Sequence, residues 1–478
     1  MGIPESKLEG GREELDPHKE YGALEPVPKS ARNLGFFDMI ATWIGANANN
    51  GTWYVGGVLA GAGVVGSVAA MLIANPIAYA IMILVGYIGF KIGTSTMALT
   101  RPSFGLRGSY LPSIMNAVQF IGWTAVNTYI AAISISIMCH QIFGWPMSGQ
   151  PGGNKTMMFG IVVMSVLHLV SIATGHRSVK IVERIGVVLV IILALWETIV
   201  VFQNLSFSSL TSWHPPKGKI IPFGNALDQM AAFSLAWTPA VAEFTRYAKS
   251  RKSSTVAPMI GANVGLMWFC SVGIIGAIAT AISTGIYDPN NSDPSMIATK
   301  LGLGWVALLV IVISSTTTNA ICLMSAGISL TNVAKKLNPI VSLWAVTILA
   351  AVLTVVPLYV GSFVESFMAF LEFLGMVFGP ILAIVIVDFY LVRKRKYNVE
   401  MFNVRDGEYW YTAGFNLRAL ITWVIGVAFF LSVHNLPLFV KTTGATYPGI
   451  LVSGIVYYTI CKLTRKSTAT MKEVELNS

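Results

Sequence analysis

The chain has 478 residues, of which 54% are hydrophobic and only 11% charged, and its mean hydropathy is +0.66. Soluble domains carry about 25% charged residues, so a water-soluble fold is excluded. The net charge of +10 marks no nucleic-acid partner, because the basic residues are confined to alternate connections between long apolar runs, as the positive-inside rule describes.

Residues 1–34 are polar and charged with no apolar core, which predicts a cytoplasmic tail rather than a cleavable signal. Twelve spans then follow in an all-α membrane fold, each approaching the ~20 residues that a crossing needs. Spans one to five fall near 36–62, 65–93, 108–142, 156–174 and 180–203. Spans six to ten fall near 224–247, 257–284, 303–332, 339–358 and 364–391, and the last two near 416–434 and 446–463. Lys91, Arg101 and Arg107 follow span two; Arg177, Lys180 and Arg184 separate spans four and five; Arg246, Lys249, Arg251 and Lys252 follow span six. Lys335 and Lys336, Arg393 to Lys396, and Lys462, Arg465 and Lys466 continue the pattern, against only Lys155, Lys217, Lys219, Lys300 and Lys441 on the opposite side. The alternation places both termini in the cytoplasm of a multi-pass protein of the cell membrane.

Span one contains GANANNG, Gly45 to Gly51. Glycine weakens a helix and asparagine competes for its backbone hydrogen bonds, while non-helical backbone survives at membrane depth only where it lines a cavity or is buried in protein. Helix packing through small residues, with asparagine as glue, is the plainer reading of the same residues. A second interruption favours a cavity: span six holds Pro239 at its centre, after Ser234 and Thr238. Both broken spans open a run of five, and paired breaks in two halves point to a transporter site near the midplane. The expected organisation is therefore 1–34 tail, 35–204 first repeat, 205–398 second repeat, 399–464 two further helices and 465–478 cytoplasmic tail.

Side chains for such a site come from two more spans. On span three, Gln119, Trp123 and Asn127 recur every four residues with Phe120 alongside. An indole flanked by amides suits a flat heterocycle, stacked on the ring and hydrogen-bonded at its edge; the same stripe also suits interhelical packing. On span eight, Ser314, Thr317 and Thr318 put three hydroxyls on one face, followed by Asn319. With free carbonyls of helix one they would form an uncharged oxygen cage for Na⁺, although such hydroxyls often bond back to their own helix.

Intramembrane carboxylates are functional candidates by default. Glu197, Glu243, Glu365, Glu372 and Asp388 lie in or near spans. Glu243, three residues before Arg246, predicts an ion pair; Asp388 precedes a basic cluster; Glu372, the most central, is a candidate proton relay. Cys139, Cys270, Cys322 and Cys461 show no ligand spacing. No phosphate loop or nucleophile elbow appears, which argues against an ATP-driven pump or an enzyme.

At these residues the chain resembles the nucleobase:cation symporters, in the purine-cytosine permease branch. The matching segments are PVPKSARNLGFFD, RPSFGLRGSYLPSIMNAVQFIGW, AEFTRYAKS, TTTNAICLMSAGISLTN and GPILAIVIVDFYLVRKRKY. The resemblance implies the five-plus-five inverted repeat of the leucine transporter with two extra helices, and alternating access driven by a cation gradient. It implies a sodium site at the carbonyls of Gly45, Ala48 and Ser314 and the hydroxyls of Thr317 and Thr318. The substrate site it implies comprises Asn49, Phe120, Trp123, Asn127, Ser234 and Asn319. Cytosine permeases carry an aromatic residue in place of Asn49 and glutamine in place of Phe120. Relatives carry an aromatic residue in place of Ser234, for which Phe233 or Trp237 would substitute. The expected ligand is thus a flat nitrogen heterocycle such as cytosine or a related purine or pyrimidine, moved with Na⁺ and without any other cofactor. Proton-coupled transport of a purine, hydroxymethylpyrimidine or hydantoin-like ring is the alternative, and an ion channel a remoter one. The expected partners are the small substrate and membrane lipid, with no nucleic acid, and the working unit is a monomer.

Overall fold

A computed structural model of the chain describes residues 21–22, 25–173, 176–333 and 339–476. The side chains of 172–184, 331–332, 334–340 and 465–478 lie outside the description, and with them Arg177, Lys180, Arg184, Lys335, Lys336, Arg465 and Lys466.

About twelve helical segments lie where the hydropathy places spans, and among the described residues eight helices are long and apolar enough to cross a membrane. The first is split into α1a (Phe36–Asn47) and α1b (Asn50–Leu59). Then come α2 (Gly63–Ile92), α3 (Tyr110–Phe143), α4 (Gly153–Ala173) and α5 (His176–Asn204). The sixth is again split, into α6a (Phe223–Leu235) and α6b (Val241–Thr245). The rest are α7 (Val256–Thr284), α8 (Gly304–Val333), α9 (Pro339–Val360), α10 (Phe363–Val387), α11 (Leu417–Val433) and α12 (Thr446–Leu476). Glycines in the left-handed region stop α2, α3 and α7 at Gly93, Gly144 and Gly285, where a Cβ would be strained. Apolar side chains such as Leu72, Val162, Ile192, Leu309, Val352 and Leu451 are exposed, as the lipid-facing side of a bundle requires.

The packing partners reveal the repeat. α1a and α1b lie on α7, and α6a and α6b lie on α2; α3 runs beside α9, and α8 beside α4. α3 also pairs with α8, and α4 with α9. Exchanging each helix n of the first ten with n+5 turns this set of contacts into itself. Because five is odd, the matched helices cross the membrane in opposite directions, so the repeat is inverted. The close approach of α1b to α7 depends on glycine: a Cβ on Gly56 would stand 2.1 Å from the Cys270 carbonyl oxygen, and one on Gly273 would stand 2.0 Å from that of Trp53. A glycine beside the cluster, Gly56, and one on the facing helix, Gly273, therefore do serve packing, as small residues do in membranes.

The R-x-S-F-G block ties the connections together. Arg101 is buried and donates to the Phe402 carbonyl and to Asn403. Asn416 donates to the Ser103 carbonyl at 2.6 Å, and Tyr411 to that of Pro102 at 2.6 Å. Asp388 is paired with Arg393 at 3.3 Å and accepts from Tyr397 and Tyr457, in keeping with the basic cluster beside it. The ion pair expected of Glu243 does not form. Thr96 donates to its carboxylate at 2.7 Å, while the Arg246 guanidinium donates to the carbonyls of Tyr21 and Gly22. Glu372 is exposed and lines a separate polar pocket with Asp228 and His434.

Candidate functional site

The break in the first helix is made by one side chain. Asn49 has extended backbone (φ −145°, ψ 165°) and caps α1b. Its Oδ1 accepts the Thr52 amide at 3.0 Å, and its Nδ2 donates to the Ala46 carbonyl at 2.9 Å. In an unbroken helix the Thr52 amide would reach back four residues to Ala48; here the Ala48 carbonyl is released from the ladder. The other two asparagines are anchors. Asn47 accepts from the Tyr79 hydroxyl of α2 at 3.0 Å, and Asn50 donates to the Ile311 carbonyl and the Ser315 hydroxyl of α8.

The break in the sixth helix is held from outside. α6a ends at Leu235, a 3₁₀ turn covers Thr238–Ala240, and α6b begins at Val241. Pro239 has no N–H to donate. Gln119 of α3 donates to the Ala236 carbonyl at 3.1 Å, and Thr96 receives the Ala242 amide at 3.0 Å. Gln119 thus supports the break one turn away from the residues it aligns with.

Between the two breaks lies a small cavity. Four rings line it: Phe120 and Trp123 from α3, Phe233 from α6a, and Trp237 from the break. Trp123 meets Phe233 and Phe370 edge-to-face, each at 5.1 Å between centroids. The polar lining is Asn49, Asn127, Thr318 and Cys322, with no Asp, Glu, Lys, Arg or His among the described lining residues. Asn127 donates to the Trp123 carbonyl at 3.1 Å, which leaves its buried Oδ1 without a partner. Gly51 supplies the space: a Cβ there would stand 3.1 Å from Asn49 Oδ1 and 3.5 Å from the Trp123 ring.

Of the residues the sequence singled out, Asn49, Phe120, Trp123, Asn127, Trp237 and Thr318 come together here. Ser234 and Asn319 do not. Ser234 donates to Asn75 of α2 at 2.8 Å, and Asn319 donates toward Thr124, Thr128 and His168. The reason is angular. Neighbours on a helix point about 100° apart, so Phe233 and Trp237 share the cavity face while Ser234 turns away, and Thr318 with Cys322 excludes Asn319. Phe233, named in the sequence as a substitute aromatic, joins them, and Ala236, Cys322 and Gly51 complete the site; four-residue spacing from Thr318 was the signal for Cys322.

The remaining sodium candidates sit around α5. The Thr317 hydroxyl donates to the Ser314 carbonyl at 2.9 Å, so two of them occupy each other. A Cβ on Gly186 of α5 would stand 2.6 Å from Thr317 Oγ1, and one on Gly45 would stand 3.7 Å from Val187. α5 therefore packs against the Thr317 side of α8 and passes near Gly45 of α1a.

Residues 26–457 match the family model described as permease for cytosine/purines, uracil, thiamine, allantoin. The chain belongs to this family. It is 25% identical to the purine-uracil permease NCS1 of Arabidopsis thaliana, over 95% of this chain and 80% of the relative. It is also 25% identical to the cytosine permease of Escherichia coli (strain K12), over 95% and 97% of the two chains. The inward-facing structure of Mhp1 superposes with a TM-score of 0.76 at 16% identity, covering 92% of this chain and 93% of that one. The family member is thus a membrane permease with a leucine-transporter-like fold, and not an enzyme.

Proposed function

We propose that this permease is a secondary active symporter that carries a neutral, flat nitrogen heterocycle, a nucleobase or close relation, into the cell with Na⁺. The cavity carries the reading: four aromatic side chains and an unpartnered Asn127 oxygen, with no charged side chain in the described lining. Rings stack on a planar ligand, and the lone acceptor calls for a ligand N–H. A phosphorylated nucleotide would find no cation to meet it. Sodium would be held by the carbonyls of Gly45, Ala48 and Ser314 and the hydroxyls of Thr317 and Thr318, the Ala48 carbonyl being freed by the Asn49 cap. Na⁺ entry would replace the Thr317–Ser314 hydrogen bond by two contacts to the ion. The basic connections support cytoplasmic termini, and the cavity is complete within one chain, which supports a working monomer.

A hydantoin-like ring is the second reading. Allantoin permease of Bacillus subtilis (strain 168) is 22% identical over 95% of each chain, and such rings present the N–H that Asn127 needs. The test is uptake into proteoliposomes with radiolabelled cytosine, uracil, hypoxanthine and allantoin, imposing Na⁺ and pH gradients separately. Saturable accumulation of one of them, dependent on inward Na⁺, is expected; uptake of all four without saturation or gradient dependence would indicate a channel instead.

A further inference from the structure

Glu197 takes no part in the site above. It lies on α5 in a buried stripe with Val190, Leu193, Ala194 and Val201, itself with no exposed surface, while Leu195, Trp196 and Ile199 face outward. Neither of its carboxyl oxygens has a hydrogen-bond partner. Gly276 of α7 makes the room: a Cβ there would stand 2.1 Å from Glu197 Oε1 and 2.9 Å from Ile297, on the short helix Pro294–Lys300.

Among the described residues, the surroundings offer no counter-charge. The only titratable side chain of α7 is Cys270, and that of α8 is Cys322. α4 contributes Lys155, which is exposed, and His168, whose Nε2 is paired with Asn319. On the short helix, Asp293 accepts the amides of Ser295 and Met296, and Lys300 is exposed. An ionised carboxylate isolated among apolar groups is so unfavourable that the group takes up a proton instead. The enclosure is too tight for a larger cation, and no group of three or more metal-ligating acids, histidines or cysteines occurs among the described residues.

We propose that Glu197 is a proton-binding site of the transport cycle, protonated while α5 is seated on α7 and able to release its proton only when water reaches it. The sign follows from linkage: protonation favours the seated arrangement, and deprotonation favours the parted one. The same helix carries Gly186 and Val187, which lie beside Thr317 and near Gly45. At 1.5 Å per residue, Glu197 is about 16 Å further along α5, so the proton and the candidate sodium residues share one rod. This rests on the proposed transport of a heterocycle and adds a second ion to it.

Two measurements on the full chain decide. Infrared difference spectra of purified protein should show a protonated-carboxyl C=O band in wild type that is missing in E197Q; an unchanged band pattern overturns the assignment. In proteoliposomes containing radiolabelled cytosine, uracil, hypoxanthine or allantoin, an inward proton gradient at fixed Na⁺ should raise accumulation by about tenfold per pH unit for one proton. E197Q, permanently neutral, should lose that response while exchange of internal for external label continues. Exchange in wild type without any response to the proton gradient overturns this inference and leaves the transport reading intact. Failure to exchange any of the four overturns both. Should E197Q not fold, the wild-type gradient response decides by itself.

Discussion

The two helix breaks face each other across one cavity, yet they are built differently. The break in α1 is local: Asn49 binds the backbone on both sides of itself, at Ala46 and Thr52. The break in α6 is supported by distant groups, Gln119 from α3 and Thr96 from the connection after α2. The first presents an amide and a released carbonyl, the second two rings, Phe233 and Trp237. A self-capped break is free to offer its backbone to an ion, whereas a break held by its neighbours positions rings against a ligand. Under the proposed function the contrast divides the breaks: the α1 side would offer oxygen to sodium and the α6 side rings to the ligand, with Trp123 and Asn127 of α3 between them.

The sharpest way to break this division is to remove the hydroxyls that complete the oxygen set of α1. The double substitution Thr317→Ala with Thr318→Ala should abolish Na⁺ stimulation of uptake altogether, with the protein still monodisperse on size-exclusion chromatography. Retained stimulation would move the ion elsewhere. Next in size is stacking. Trp123→Ala should weaken base binding by about 5- to 150-fold, from the ~1–3 kcal/mol attributed to an aromatic–base contact, and Trp123→Phe much less. Equal losses in competition binding would make the ring a packing element.

Selectivity is expected to follow the unpartnered Asn127 acceptor. Asn127→Leu leaves a ligand N–H unpaired, which costs about 1–3 kcal/mol, so competition rankings should turn against the bases that present it. The caps follow. Asn49→Ala and Gln119→Ala should each lower stability, Asn49→Ala by about 1 kcal/mol as for other lost N-caps. Their difference sharpens the contrast: Asn49→Ala should also alter sodium dependence, and Gln119→Ala should not, as thermal unfolding with and without Na⁺ would report. The smallest effects on ranking are expected for Ser234→Ala and Asn319→Ala, whose side chains point to α2 and to α3 and α4. A large change in base preference from either would mean that its helix rotates during the cycle.

The sequence by itself determined the membrane environment, the order of the helices and the places where two of them break. Those properties are carried by composition, by charge at the helix ends and by residues such as Pro239 and Asn49, whose backbone chemistry is local. It also named the stripe of Trp123 and Asn127, because a four-residue period is a property of one helix. Only the tertiary structure decided which neighbours of that period matter. Ser234 and Phe233, or Thr318 and Asn319, differ by one position and by about 100° of rotation, and nothing within a helix says which direction faces the cavity. The stripe included Gln119, but its role in holding the second break was beyond reach, since its acceptor lies 117 positions along the chain. So was the isolation of Glu197, which depends on the absence of charge from helices that meet only once the chain has folded.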